Sequence, residues 1–229
     1  TSGEACKILP LGDSFTEGVK SSDGAGYRSQ LFKLIVAAKQ KVTFTGSLTG
    51  GPMQVSGQNF PRMHEGHAGW TIDPGLSEFS GYGGISSLVP SPALSGNPHI
   101  VLLHIGANEL FPTKDGAGMA TRLDALVDKI ADNVPSALIV VAQITPVGSK
   151  NNGHTQAQVD AANAAQMLYN SKIPAIVQAH VAKGQHVIGV DMSKMPLSGL
   201  TTASVHPNDQ GYAYMAGIWY AALNDLLPK

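Results

Sequence analysis

Two kinds of hydrophobic order alternate along the chain. Nearly continuous apolar runs at Cys6–Leu11, Ile100–Ile105 (IVLLHI) and Leu138–Ile144 (LIVVAQI) are short, and they read as strands buried on both faces. Val42–Gly46 and Val187–Val190 read as two shorter strands. Between them, apolar residues recur at helical spacing over Tyr27–Lys41, roughly Ala117–Asn133, roughly Gln156–Ala182 and about Gln210–Leu227. Pro174 lies inside the third of these and predicts a kink or an interruption. Strands alternating with helices predict an α/β fold with a parallel sheet covered on both faces. The expected architecture is a flavodoxin-like three-layer α/β/α sandwich with five parallel strands in the order 2-1-3-4-5. Right-handed crossovers then bring every strand's C-terminal end to one edge.

The stretch Ser47–Asn97 breaks the alternation. It is rich in Gly, Pro and Ser and has little periodicity. A loop this long inside a compact domain is usually functional or disordered, and here it reads as a cleft wall. No repeat or linker divides the chain, so residues 1–229 read as one domain.

Composition narrows the function. Apolar residues make up 43% of the chain, enough for a substantial core. The formal net charge of −1 argues against nucleic-acid and anionic-membrane partners. No apolar run approaches the length that spans a bilayer. Cys6 is the single cysteine, so no intrachain disulfide forms.

The candidate chemistry begins directly after the first strand's apolar run. Gly12-Asp13-Ser14-Phe15 places a Ser where the chain leaves a buried strand, at the edge where α/β proteins carry their sites. Three further blocks follow: His67-Ala68-Gly69-Trp70, Gly106-Ala107-Asn108-Glu109 and Val205-His206-Pro207-Asn208. A Ser hydroxyl needs a base within hydrogen-bond reach, and His206 is placed for that role in an extended loop that Pro207 keeps out of helical geometry. An oxyanion needs fixed donors: the Ser14 and Gly69 backbone N–H groups and the uncharged Asn108 amide.

In that order the four blocks resemble the GDSL-type, or SGNH, hydrolases, over nearly the whole chain from Gly12 to Tyr212. Within that superfamily the chain looks most like the acetyl xylan esterases of carbohydrate esterase family three. The carriers are Phe44-Thr45-Gly46-Ser47-Leu48, His64-Glu65-Gly66-His67-Ala68-Gly69-Trp70 and His206-Pro207-Asn208-Asp209-Gln210-Gly211-Tyr212. The resemblance implies the SGNH hydrolase fold, a serine esterase acting on acetylated polysaccharide or oligosaccharide, and no cofactor or catalytic metal. It also implies secretion, because a polymer-degrading esterase meets its substrate outside the cell, and the expected state is a monomer. Lipases and lysophospholipases share the four blocks, so a lipase-like esterase is an alternative.

Two departures from the family pattern stand out. The usual Asp three residues before the His is Ala203, and the usual GTND block is Gly106-Ala107-Asn108-Glu109. Three accounts of Ala203 compete. A backbone carbonyl near it accepts the His206 Nδ1 proton; or Thr201, Thr202 or Ser204 substitutes; or the protein is a weakened or non-catalytic carbohydrate-binding relative.

Asp13, Trp70 and Glu109 complete the candidate substrate-binding set, each with a structural alternative. Asp13 caps the turn after the first strand, Trp70 plugs the cleft wall or stacks on a sugar, and Glu109 lines the pocket or bonds at a strand end. His64, Glu65 and His67 resemble a metal pair, but two His three apart off a helix do not fit the zincin pattern. His104 reads as a satisfied core histidine, Asp191 as a loop cap, and Asp209 as a helix-start residue. Tyr212, Tyr214 and Trp219 read as packing for the last helix.

Overall fold

The computed structural model describes residues 4–78, 80–148, 153–201 and 205–229. The first strand, β1 (Cys6–Gly12), is buried from Ile8 onward, as its unbroken apolar run predicts. A one-turn helix α1 (Ser14–Glu17) follows at once, then α2 (Tyr27–Ala37) and β2 (Val42–Phe44). Four short strands come next: β3 (Leu48–Thr49), β4 (Gln54–Val55), β5 (Gln58–Asn59) and β6 (Met63–Gly66). The rest of the chain is β7 (Ile100–His104), α3 (Gly116–Asn133), β8 (Leu138–Gln143), α4 (Gln156–Ala182), β9 (Val187–Asp191) and α5 (Asp209–Leu223).

The five long-run strands pair in parallel in the order β2-β1-β7-β8-β9, the expected flavodoxin-like arrangement. Alternate side chains along them feed two cores. Leu9, Leu11, Val101, Leu103, Ile139 and Val141 face α3 and α4. Ile8, Ile100, Leu102, Val140 and Ala142 face α2 and α5. A strand with an apolar layer on each face has no polar phase, which is why these runs are continuous.

The sheet is wider than expected. The segment read as a loop contributes β6, which pairs in parallel with the upper end of β1 (Leu11 opposite Glu65, Gly12 opposite Gly66). Because β2 covers only Cys6–Ile8, the same edge of β1 is shared, with β2 below and β6 above. The strand β3 adds antiparallel to β6, and β4 and β5 form a separate hairpin. Strands of two to four residues are too short to show a period of two.

The helix α4 runs unbroken through Pro174. Proline has no N–H to give the Asn170 carbonyl, and Gln143 Nε2 donates to that oxygen instead, at 2.8 Å. A partner from the sheet therefore replaces the missing helical bond. At the start of α5, Asn208 is the cap, accepting from the N–H groups of Gln210 and Gly211. Asp209 is the first helical residue and accepts from Ser22 N at 2.9 Å. Tyr212 and Trp219 are fully buried beneath α5.

Candidate active site

At the C-terminal end of β1 the backbone turns within one residue from strand to helix. A side chain at Gly12 is excluded: a Cβ there would lie 2.0 Å from the His104 carbonyl oxygen. Asp13 caps α1 by accepting from Phe15 N at 3.0 Å, so Ser14 opens the helix. The Ser14 backbone N–H therefore sits in a first turn with no intrahelical acceptor. His206 arrives from the loop before α5. Thr201 pins that loop by donating its N–H and its hydroxyl to the His206 carbonyl, at 2.9 and 3.0 Å. The result is a His206 Nε2 to Ser14 Oγ distance of 2.8 Å across 192 residues of sequence.

Burial, with a smaller push from the Lys20 charge, lowers the His206 pKa to about 4. The imidazole is therefore neutral at ordinary pH and Nε2 is able to take a proton. The Thr201 hydroxyl gives its hydrogen to the His206 backbone carbonyl. Thr202, Ala203 and Ser204, on which the other accounts turn, lie outside the described residues. Asp191 is a turn cap, accepting from Ser193 N and Oγ at 2.8 and 2.5 Å.

Gly69 has a left-handed φ of +80°, and a Cβ there would meet the Tyr82 ring at 2.5 Å. Three ties hold its loop. Ala68 N donates to Glu17 Oε2 at 2.8 Å, Asn108 Nδ2 donates to the Trp70 carbonyl at 2.9 Å, and Ile72 N donates to Glu109 Oε1 at 2.7 Å. Neither Ser14 N nor Gly69 N donates to a described residue. Asn108 has a second amide hydrogen beyond the one given to Trp70. Ser14, Gly69, Asn108 and His206 all line one cavity of about 210 Å³.

None of the three residues expected to bind substrate lines this cavity. Asp13 is fully buried and serves as the α1 cap. Its burial raises the carboxyl pKa to about 7. The amides of Phe15 and Ala107 pull it part of the way back, that of Ala107 without completing a hydrogen bond to Oδ2. Glu109 is also fully buried. It pairs with Arg122, whose Nε is 3.0 Å from Oε2 and whose Nη2 approaches more closely still. Burial pushes the Glu109 carboxyl up, and the bonds from Ile72 and Arg122 offset part of that rise. Spacing along the chain carries no information on burial, so the motifs alone leave the substrate and structural readings of both residues open, and the structure favours the structural one. Trp70 stacks on His67 at 4.4 Å and lines a neighbouring groove rather than the Ser14 cavity.

His104 differs from expectation as well. It is buried under the Phe15 ring, yet neither ring nitrogen has a partner among the described residues. Burial lowers its pKa to about 4, so it is a neutral filler. The cavity wall brings residues that no motif marked: Val19, Glu78, Tyr82, Phe111 and His154. The Phe111 and His154 rings stack at 3.9 Å, and His154 Nε2 lies 3.9 Å from Glu78 Oε1. All come from irregular segments, where periodicity gives no signal.

Residues 11–214 match the GDSL-like Lipase/Acylhydrolase family. Over 97% of both chains the fold superposes on the Clostridium thermocellum family 3 carbohydrate esterase, with 31% identity and a TM-score of 0.76. A carbohydrate esterase family 3 structure from Talaromyces cellulolyticus shares the fold at 22% identity and a TM-score of 0.72, covering 96% of this chain and 97% of that one. A multidomain esterase of Ruminococcus flavefaciens is 29% identical over 238 residues, which take in 96% of this chain. The chain spans 29% of that relative's length, and 52% of a second curated relative from Acetivibrio thermocellus. A family match across nearly all of β1 to α5, on a chain whose Ser14 and His206 are in hydrogen-bond contact, places the chain in the GDSL-like lipase/acylhydrolase family and so among the carboxylic ester hydrolases.

Proposed function

We propose that the chain is a serine esterase that removes O-acetyl groups from an acetylated polysaccharide, with acetyl xylan as the leading substrate. The observation that carries the reading is the 2.8 Å contact of Ser14 Oγ with His206 Nε2, in a cavity that also holds the Gly69 and Asn108 donors. Ser14 Oγ attacks the acetyl carbonyl as His206 Nε2 takes its proton. The oxyanion receives hydrogen bonds from Ser14 N, Gly69 N and the remaining Asn108 amide hydrogen. Collapse breaks the ester C–O bond, and His206 returns the proton to the departing sugar oxygen. Water then attacks acetyl-Ser14 as His206 takes its proton, and on collapse the acyl carbon–Ser14 Oγ bond breaks, His206 returns that proton to Ser14 Oγ, and acetic acid leaves.

The size of the cavity supports a short acyl group. At about 210 Å³ it is smaller than the roughly 300 Å³ at which ligand pockets usually begin. The likeness to a family 3 carbohydrate esterase supports a carbohydrate ester. A polymeric substrate argues for an extracellular protein, and the reading needs one subunit and no nucleic-acid or membrane partner.

The test compares p-nitrophenyl acetate with p-nitrophenyl octanoate and measures acetate released from acetylated xylan. Preference for acetate, and release abolished by Ser14→Ala, are expected. Preference for octanoate would favour a lipase-like esterase. Tight binding of acetylated xylan without acetate release would leave only a carbohydrate-binding protein.

A further inference from the structure

On the other side of Ala68 from the Ser14 cavity lies a second, polar groove of about 540 Å³. Ser47, Thr49, Gly50, His64 and Trp70 line it, with Glu17 at the Ala68 ridge. His64 is only 3% exposed, and its Nδ1 accepts the Gly66 N–H at 3.1 Å. Burial, with the Arg28 and His67 charges, holds its pKa near 3, so the ring is neutral. A neutral ring that accepts at Nδ1 carries its proton on Nε2. That N–H has no acceptor among the described residues. It lies beside Gly50, where an added Cβ would stand 3.1 Å away. Glycine thus leaves a fixed donor open to the groove.

The groove's charges are already occupied. The Arg28 guanidinium beneath it donates to the carbonyls of Thr16, Glu17 and Gly50 at 2.9, 3.0 and 3.2 Å. Glu17 accepts from Ala68 N, and Glu65 accepts from Ser47 and pairs with His67. Burial pushes the Glu65 carboxyl up, but the His67 and Ser47 bonds outweigh it and hold it below the usual range. What remains for a ligand is a neutral N–H, the exposed Thr49 hydroxyl and the half-buried indole of Trp70. An anion finds no cation here. A ring with hydroxyls on its edge and C–H groups on its face finds both kinds of contact.

We infer that this groove is a sugar subsite: it binds a neutral pyranose unit next to the acetylated one, so that the substrate chain crosses the Ala68 ridge into the Ser14 cavity. The inference rests on the polysaccharide esterase reading and adds how the polymer is held. Gly50 has an ordinary backbone conformation, so Gly50→Ala places a methyl group over His64 Nε2 without backbone strain. Thr49→Val removes the hydroxyl at constant shape.

Two measurements test it. The first is the ratio of kcat/KM on acetylated xylotetraose to kcat/KM on p-nitrophenyl acetate. The ratio should fall about tenfold in Gly50→Ala, the value of roughly one hydrogen bond and its contacts, and a few-fold in Thr49→Val. The second is an NMR titration of the Ser14→Ala protein with unacetylated xylohexaose. It should shift the Trp70 indole and His64 ring signals, with binding about tenfold weaker once Gly50→Ala is added. An unchanged ratio, or a titration that leaves both rings unmoved, overturns the subsite even if xylan is deacetylated. If xylan is not deacetylated but xylohexaose still binds at these rings, the esterase substrate falls and the sugar site stands.

Discussion

Replacing Asp13 with Asn isolates one buried carboxyl from everything around it. In the folded chain that carboxyl titrates at about 7, against an ordinary value of 3.8, because burial disfavours its charge. Below pH 3.8 both folded and unfolded chains carry the proton, and Asp13 adds no pH dependence. Between 3.8 and 7 the unfolded chain releases the proton while the folded chain keeps it. Stability therefore falls as pH rises, by about 1.4 kcal/mol per pH unit, and levels off above 7. Over about three units the loss is roughly 4 kcal/mol. The Asn variant has no such slope. Its amide oxygen can still accept from Phe15 N, and any misfit of its NH₂ is a constant offset. Urea unfolding of both proteins at half-unit steps from pH 3.5 to 8.5 reads the difference directly. The variant should gain on the wild type steadily from about pH 4 to 7. A difference that stays flat across that range would refute the burial argument and mean that Asp13 is ionised in the fold.

Three other outcomes follow from the same geometry. Because His206 titrates near 4, the acid limb of kcat/KM should lie close to pH 4 instead of the usual 6.5, as read from a pH profile with p-nitrophenyl acetate. Asn108→Ala should lower kcat by about 10²–10³ with a smaller change in KM, since on the proposed mechanism its second amide hydrogen meets charge that develops only in the transition state. Glu109→Gln breaks a buried ion pair and should destabilise the fold by roughly 3–5 kcal/mol in denaturant titrations.

The central sheet was legible because β1, β7 and β8 sit between two apolar layers, and burial on both faces writes itself into the chain as an unbroken run. The edge of the sheet was not. The strands β3 and β6 are held by pairing and by Glu65, whose carboxylate is fixed by Ser47 and His67, and no period marks two to four residues. The contact between Ser14 and His206 was foreshadowed by motif, since few residue types can serve there. Asp13 and Glu109 stand in the same motifs as candidate substrate contacts, and for both the structural alternative holds: Asp13 caps α1 and Glu109 sits in a buried ion pair. Arg122, the partner of Glu109, projects from α3 as an ordinary polar position would, so nothing in its spacing signals the pair. The wall formed by Glu78, Tyr82, Phe111 and His154 left no trace, because irregular backbone brings it together.

The ties that bracket Gly69 have a consequence for how such a protein can change. The donors and the nucleophile hang from strand ends and from one another, whereas Glu78, Tyr82, Phe111 and His154 reach the cavity from irregular segments. Diversity confined to those four positions can remodel which acyl groups enter while the reacting atoms keep their spacing. A library randomised there should yield altered ester preference at nearly intact turnover, which is the raw material from which new specificities diverge.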